Sequence, residues 1–232
     1  MSVTGASART AVLSKIRQAL QATGSDSARR AAVAERIASP PAPLVPERAQ
    51  RPREASRALF RTFLEGQSAT VVEVGSAAEV PAAIGRYLRS TNMPLRVRVG
   101  GDGYLAALPW STEPALERLD GPAEGEDAVG LSHAAAAVAE TGTLVLASGA
   151  DNPVTLGYLP ETHVVVVEEK DLAGGYEGAW EKIRARFGRR GMPRTVNFIS
   201  GPSRTADIGG ELVMGAHGPR RLCVILVRDA GV

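Results

Sequence analysis

Two short segments of the chain combine small, polar and charged side chains, as ligand-binding loops do. The first spans residues 139–143, Ala-Glu-Thr-Gly-Thr, and the second spans residues 200–207, Ser-Gly-Pro-Ser-Arg-Thr-Ala-Asp. Each adjoins an apolar run that predicts a buried strand, and open α/β sheets bind their ligands where such strands end. The two segments therefore form the candidate site.

Glu140 is the residue of the first segment that could act on a substrate. A carboxylate at a strand end can serve as a general base or accept a hydrogen bond from a bound ligand. The alternative is a buried ion pair with an arginine, for which Arg204 is a candidate. Beside Glu140, the hydroxyls of Thr141 and Thr143 are hydrogen-bond donors, and Gly142 offers a permissive backbone position.

The second segment offers three hydroxyls, a flexible glycine and one guanidinium, contributed by Ser200, Ser203, Thr205, Gly201 and Arg204. Backbone N–H groups and a bidentate arginine can hold a carboxylate or a phosphate. In the alternative, the segment is a turn in which Asp207 caps a following helix and Arg204 pairs with a surface carboxylate. Neither Gly-x-x-x-x-Gly-Lys nor Gly-x-Gly-x-x-Gly occurs here, so nucleotide binding has no direct support.

His217 lies in Gly-Ala-His-Gly-Pro, a tight turn before the last apolar run. A histidine beside glycine in a turn can be accessible and shuttle protons, although a lone histidine there is also compatible with a structural role. Glu140, Asp207 and His217 are thus the candidate catalytic residues.

The cysteine count bears on metals and cofactors. An iron–sulfur cluster takes about four cysteine ligands, and a structural zinc site needs several cysteines or histidines at close spacing. The chain has one cysteine, Cys223, in an apolar run, and its three histidines do not show the spacing of a metal site. We therefore expect no metal and no cofactor to be bound by this chain alone.

Hydrophobic periodicity predicts an α/β fold with a largely parallel central sheet. The runs 164–167 and 224–227 are wholly apolar, as expected of parallel strands covered on both faces. Helical patterns alternate with the strands, which favours parallel pairing. Helices are predicted over 54–64, 76–89, 133–139 and 171–187. Strands are predicted over 69–74, 95–99, 128–131, 143–147, 162–168, 194–200 and 222–227.

Residues 1–53 are predicted to be an arm and residues 54–232 the α/β domain. The arm has an amphipathic helical pattern over 7–23, then a proline-rich stretch with a helical turn near 31–37. Residues 1–62 hold 11 Arg and Lys against 4 Asp and Glu. Such a basic arm could meet nucleic acid, an anionic membrane or an acidic partner, or be a solvated linker; the last is favoured over nucleic acid.

No apolar run approaches the roughly 18 residues of a membrane helix, and the N-terminus lacks the apolar core of a secretory signal. These patterns predict a soluble protein of the cytoplasm without a transmembrane segment.

Three motifs together resemble the LUD-domain family typified by lactate-utilisation protein C. They are Ala-Glu-Thr-Gly-Thr-Leu-Val-Leu over 139–146, Phe-Ile-Ser-Gly-Pro-Ser-Arg-Thr-Ala-Asp-Ile over 198–208, and His-Gly-Pro over 217–219 before the last strand. The resemblance extends over about residues 54–228. Ile-Gly-Gly-Glu over 208–211 departs from the bulkier residues expected there.

The resemblance implies a fold similar to that of ribose-5-phosphate isomerase, CoA transferases and methenyltetrahydrofolate synthetase. It also implies a role in converting L-lactate to pyruvate beside iron–sulfur partner proteins, which would carry the clusters. The two candidate segments would then line a pocket for a small carboxylate or phosphate-bearing ligand. Two alternatives remain, namely a stand-alone isomerase or CoA-transferase-like enzyme using Glu140, and a non-catalytic scaffold subunit whose arm recruits partners.

Overall fold

The computed structural model describes residues 5–21, 26–39, 42–188, 191–206 and 211–228. Asp207 therefore lies outside the described residues, as do residues 208–210, which follow the candidate site. The chain divides into two compact units, Met1–Leu44 and Val45–Val232. No helix among the described residues is long and apolar enough to cross a membrane.

The first unit contains two helices, α1 (Gly5–Ala19) and α2 (Ser27–Ala38). The α1 helix confirms the periodicity read from the sequence, and α2 is longer than the predicted turn. Asp26 explains where α2 begins, because its side chain accepts a hydrogen bond from the backbone N–H of Arg29 at 3.0 Å. Apolar side chains on both helices, including Ile16 and Ile37, are exposed.

The second unit contains the remaining elements. Its helices are α3 (Arg53–Gly66), α4 (Val80–Ser90), α5 (Gly103–Ala106) and α6 (Tyr176–Phe187). Its strands are β1 (Thr70–Val74), β2 (Arg96–Val99), β3 (Glu117–Asp120), β4 (Val129–His133), β5 (Ala136–Val138), β6 (Thr143–Ala147), β7 (Thr162–Glu168), β8 (Leu172–Ala173), β9 (Val196–Ile199), β10 (Arg204–Thr205), β11 (Val213–Met214) and β12 (Arg221–Val227).

A six-stranded sheet in the order β1-β12-β7-β4-β2-β3 forms the centre, and all its neighbouring strands are parallel. A four-stranded sheet, β8-β5-β6-β9, pairs β5 parallel to β8 and joins its other strands antiparallel. Strands β10 and β11 form a short antiparallel hairpin. This architecture confirms the predicted α/β class with a largely parallel central sheet.

The central sheet buries side chains on both faces. Along β7, Val164 and Val166 pack in the core that contains α4, whereas Val165 and Val167 pack on the opposite side with α3 and the four-stranded sheet. Helix α6 covers the outer face of the four-stranded sheet. Phe60 and Leu64 of α3 are fully buried, and each contributes roughly 1.5–3 kcal/mol through burial of apolar surface.

The helix predicted over residues 133–139 is wrong, because this alanine-rich run is extended. His133 ends β4, and Ala136–Val138 forms β5, paired with β6 and β8. Between them the chain passes from the central sheet to the four-stranded sheet. The backbone N–H of Ala134 donates a hydrogen bond to the Val166 carbonyl oxygen of β7, whereas that of Ala135 donates to the Val145 carbonyl oxygen of β6. Alanine favours helix, but burial on every side and pairing on both edges outweigh that propensity.

The compact unit begins at Val45, so it includes residues 45–53, which the sequence pattern places in the arm. Ala49 is buried, and its carbonyl oxygen packs so close to Gly174 that a Cβ there would lie 1.8 Å from it. Ser56 Oγ donates a hydrogen bond to the Arg51 carbonyl oxygen at 3.1 Å. Although it contains prolines, the stretch 45–53 is therefore packed against the α/β domain.

Candidate functional site

Glu140 lies in the 3₁₀ turn Ala139–Thr141, which connects β5 to β6. Its backbone N–H donates to the Gly174 carbonyl oxygen at 3.0 Å. Its buried carboxylate accepts a hydrogen bond from Arg48 Nε, at 2.9 Å from Oε2. The structure thus has the ion pair with an arginine that the sequence left as an alternative, but the exposed Arg48 and not Arg204 supplies the charge, and only the carboxylate is buried.

Gly142 ends this turn with φ +62°, in the left-handed region. A Cβ at this position would lie 2.7 Å from the Cβ of Phe63 and 2.8 Å from the backbone nitrogen of Leu64. Glycine is therefore required at position 142 for two reasons, the left-handed backbone of the turn and the close approach of α3.

Four hydroxyl groups, which we call the hydroxyl cluster, join the two predicted segments. Thr143 Oγ1 lies 2.7 Å from both Thr141 Oγ1 and Ser200 Oγ, and Tyr176 OH lies 3.2 Å from both threonine oxygens. Each hydroxyl both donates and accepts, so the cluster can relay a proton or polarise one of its members. Tyr176 is absent from the sequence-based candidates, although Gly174-Gly175-Tyr176 at a helix start was a usable signal.

The rest of the second segment turns away to the β10–β11 hairpin. Gly201 packs against Gln67 at the end of α3, where a Cβ would lie 2.9 Å from the Gln67 Cβ. The exposed Arg204 donates from Nη2 to the side-chain oxygen of Gln67. Thr205 is half-buried in β10, paired with Val213. The described contacts of Arg204 thus involve a neutral amide.

His217 belongs to a different part of the surface. Its backbone N–H donates to Ser203 Oγ at 3.3 Å, and its exposed side chain lines an open cleft of about 510 Å³. Neither Glu140 nor any member of the hydroxyl cluster lines that cleft. The structure therefore does not bring His217 together with Glu140.

A second group of polar side chains gathers at the carboxyl ends of three neighbouring strands of the central sheet. It consists of Asp102 and Tyr104 after β2, His133 at the end of β4, and Glu168 and Asp171 at and after the end of β7. We call it the strand-end cluster. Open α/β sheets place their ligand sites at this edge.

His133 is the centre of the strand-end cluster. Its Nδ1 lies 3.2 Å from Asp102 Oδ1 and 3.3 Å from Oδ2, and its Nε2 lies 3.7 Å from Glu168 Oε2. The Tyr104 ring stacks on the imidazole with centroids 4.4 Å apart. Asp102 also caps α5, because Oδ1 accepts from the Leu105 N–H at 2.9 Å. The histidine ring is thus fixed on one edge and on one face.

The environment keeps Asp102 charged. Burial acts to raise the pKa of Asp102, but hydrogen bonds from His133 and from the Leu105 N–H outweigh it and lower that pKa. A carboxylate next to Nδ1 holds the proton on that nitrogen and leaves Nε2 as the basic atom. Burial raises the pKa of Tyr104 to about 12, so its hydroxyl stays protonated.

A small cleft adjoins this histidine. Its volume is about 40 Å³, which is room for roughly three water molecules, and its lining includes Asp102, His133, Ser148, Asn152 and Arg186. The sequence-based candidates do not include these residues. The predicted helix over 133–139 placed His133 at the start of a helix, whereas it lies at the end of strand β4. Polar residues immediately after the apolar runs ending at Val99, Leu131 and Val167 were the signal that could have located the cluster.

In a comparison with known protein families, residues 126–227 match the model of the family described as the LUD domain. Lactate utilization protein C of Halalkalibacterium halodurans is 38% identical over 115 residues, 49% of each chain. The protein of that name from Bacillus subtilis is 35% identical over 102 residues, 44% of this chain and 42% of the relative. An uncharacterised protein of Neisseria meningitidis serogroup B is 36% identical over 152 residues, 63% of this chain and 64% of the relative.

The chain thus matches about half the length of the curated lactate utilisation relatives. A crystal structure of a DUF162 family protein from Deinococcus radiodurans superimposes with a TM-score of 0.59 at 28% identity, and covers 76% of this chain and 99% of its own. The family resemblance read from the motifs and the α/β fold are both confirmed.

Proposed function

Because residues 126–227 of this chain match the family model of the LUD domain, we propose that the protein takes part in lactate utilisation. On this proposal it acts in the oxidation of L-lactate to pyruvate beside iron–sulfur partner proteins that accept the electrons. The names of its relatives, lactate utilization protein C, support the proposal. The buried single cysteine, Cys223, agrees with a subunit that leaves the redox chemistry to its partners.

One observation carries the assignment of a role, namely the Asp102–His133 pair at the strand ends. An imidazole with its Nδ1 proton held by a carboxylate can accept a proton at Nε2, as removal of the hydroxyl proton of a 2-hydroxy acid requires. Arg186 lines the same cleft and offers a guanidinium for the carboxylate of that acid.

This assignment moves the proposed chemistry from Glu140 to His133. As a stand-alone isomerase or CoA-transferase-like enzyme, the protein would use the Glu140 carboxylate on its substrate. That carboxylate is buried, and its Oε2 accepts the hydrogen bond of Arg48, so it is not presented to a substrate in this conformation. The hydroxyl cluster and Arg204 stay candidates for a neighbouring anion site.

Growth on L-lactate as sole carbon source tests the proposal in a strain that lacks the gene. We expect the wild-type gene to restore growth, and His133→Gln and Arg186→Ala to fail although the proteins are folded and expressed. Arg184→Ala is the matched control, because Arg184 is an exposed arginine of the same helix that does not line the cleft.

Undiminished growth of the deletion strain on lactate would refute the function. If both single variants, His133→Gln and Arg186→Ala, restore growth fully, the cleft does not take part in the reaction. That result would favour the scaffold alternative. Purification of the wild-type protein with its bound partners, followed by iron analysis of the complex, tests the expected iron–sulfur companions separately.

A further inference from the structure

Three potential ligand atoms face one another in the strand-end cluster. One atom each from His133, Glu168 and Asp171 lies within 4.8 Å of the other two. The closest measured pair, His133 Nε2 and Glu168 Oε2, is 3.7 Å apart, which is too long for a hydrogen bond. One nitrogen and two carboxylate oxygens therefore converge without bonding to each other directly.

His133 points an unsatisfied atom into this group. Its side chain is only 8% exposed, and within the described part of the chain Nε2 has no hydrogen-bond partner. Buried polar atoms in native proteins nearly always have a partner, so Nε2 marks a place for a water molecule or an ion. The other ring nitrogen is held by Asp102, and metal-binding histidines almost always have a carboxylate, carbonyl or water in that position.

Each of the two carboxylates lies beside a lysine ammonium. Lys170 Nζ lies 2.9 Å from Glu168 Oε1, the oxygen other than the one nearest His133, and its side chain is 60% exposed. The ammonium of Lys182 lies 3.8 Å from Asp171 Oδ1. The exposed Lys170 side chain has room to move into solvent when an ion binds between the carboxylates and the imidazole.

We propose that His133, Glu168 and Asp171 bind one divalent transition-metal ion such as Zn²⁺ or Mn²⁺, with Asp102 orienting the histidine. Mixed imidazole and carboxylate ligands suit this class of ion. Ligand distances of about 2.0–2.2 Å require the three atoms to move closer than they are, by rotation of the partly exposed carboxylate side chains. The proposal departs from the sequence-based expectation of no metal, since 35 residues separate His133 from Glu168.

Three protein ligands leave a coordination position open for water or for the oxygen of a small ligand. An ion bound at His133 Nε2 occupies the lone pair that would otherwise accept a proton, so in the ion-bound protein the ion, and not the imidazole, would activate a hydroxyl at that position. A 2-hydroxy acid presents a hydroxyl and a carboxylate that could occupy such a position, and only this identification of the small ligand rests on the proposed function. Ion binding itself is testable without lactate.

Calorimetric titration of the full-length chain with ZnCl₂ and with MnCl₂, after treatment with EDTA and its removal, tests the site. We expect one ion per chain. Asp102→Asn should weaken binding about 10- to 100-fold, as loss of a carboxylate behind a metal-binding histidine does. Glu168→Gln and Asp171→Asn each remove a ligand, and should weaken it more. Glu161→Gln is the control, because Glu161 is an exposed carboxylate outside the cluster and should leave affinity unchanged.

Absence of saturable binding of either ion to the wild type would overturn the proposal, as would binding that Glu168→Gln and Asp171→Asn leave intact. Melting curves of each variant identify any that fail to fold. Because Glu168 and Asp171 are partly exposed, we expect both variants to fold, so that a loss of ion binding can be assigned to the site. Growth on lactate without ion binding would refute the cation site alone. Ion binding without growth would refute the proposed function alone.

Discussion

Arg48 donates a hydrogen bond from Nε to Oε2 of Glu140 at 2.9 Å, although 92 positions separate the two residues. The Arg48 side chain is 59% exposed, whereas that of Glu140 is 5% exposed. The pair therefore covers a buried carboxylate with an arginine that water can reach. It also ties the stretch before α3 to the turn between β5 and β6.

Arg48→Ala should destabilise the domain, because it leaves the buried Glu140 carboxylate without its cation. We expect a loss of about 1–3 kcal/mol, less than for a pair buried on both sides, since water can partly replace the guanidinium. Urea unfolding measures the change. Arg51→Ala, at an exposed arginine of the same stretch, should stay within about 0.5 kcal/mol of the wild type. Equal stabilities of the two variants would show that the ion pair contributes nothing.

Gly142→Ala should lower stability by about 2–5 kcal/mol, from the left-handed backbone and from overpacking against α3. The added methyl would lie within 2.8 Å of both Phe63 and Leu64 atoms. Gly66→Ala provides the contrast, because a Cβ there meets nothing within 4 Å and alanine favours the helix by up to about 1 kcal/mol. Thermal unfolding of both variants should therefore move in opposite directions. A tolerated Gly142→Ala would contradict the geometry given for this turn.

Local patterns were sufficient for most of the central sheet. Continuous valines in β7 predicted a strand covered on both faces, and the helical pattern over 54–64 predicted α3. The alanines before Glu140 carried no such information, because alanine fits either element and only pairing with β6 and β8 decides between them. The polar edge strand β3 gave no apolar alternation to detect.

The candidate site was predictable where it depended on neighbours in sequence. Thr141 and Gly142 lie in the expected turn, Thr143 begins β6 as expected, and Ser200 reaches Thr143 across β6 and β9. The partners Arg48 and Tyr176 depend on chain segments brought in from far away, so spacing could not find them. The Asp102–His133 pair required the order of strands β2 and β4 in the sheet, which periodicity does not supply.

Arg204→Ala tests whether the second segment also holds an anion. A charge-assisted contact contributes roughly 1.5–3 kcal/mol, so affinity for a ligand bound there should fall about 10- to 150-fold. Arg204→Lys should rescue only in part, because an ammonium lacks the two-pronged geometry of the guanidinium. Calorimetric titration with lactate, pyruvate, phosphate and CoA measures this. Unchanged affinity for every ligand that binds the wild type would refute the anion site.

Limited proteolysis tests the boundary between the two units. The stretch 45–53 packs on the domain through Arg48 and Ala49, so we expect a fragment of residues 45–232 to be more stable than one of residues 54–232. Sites in the preceding residues should be cut first. Melting curves of the two purified fragments provide the comparison. Equal melting temperatures would support the boundary after residue 53 that the proline-rich pattern predicts.

The stability of the domain should fall as the pH decreases from about 6.5 to about 4, because of His163. Burial lowers the pKa of this histidine from 6.5 to about 4, and its Nε2 lies 2.9 Å from Ser132 Oγ. Between those two pH values the unfolded chain takes up a proton that the folded chain does not, so acid favours unfolding. Below about pH 4 both states are protonated at this position, and its contribution stops changing.

The expected loss over the whole window is on the order of 3 kcal/mol, and about 2 kcal/mol of it falls above pH 5, since one pKa unit corresponds to about 1.4 kcal/mol. Urea unfolding at pH 7, 6 and 5 keeps the measurement above the range in which carboxylates titrate. His163→Gln should flatten the dependence, whereas His217→Gln, at an exposed histidine, should retain it. A wild type equally stable at pH 7 and pH 5 would contradict the prediction, and so would an unchanged slope in His163→Gln.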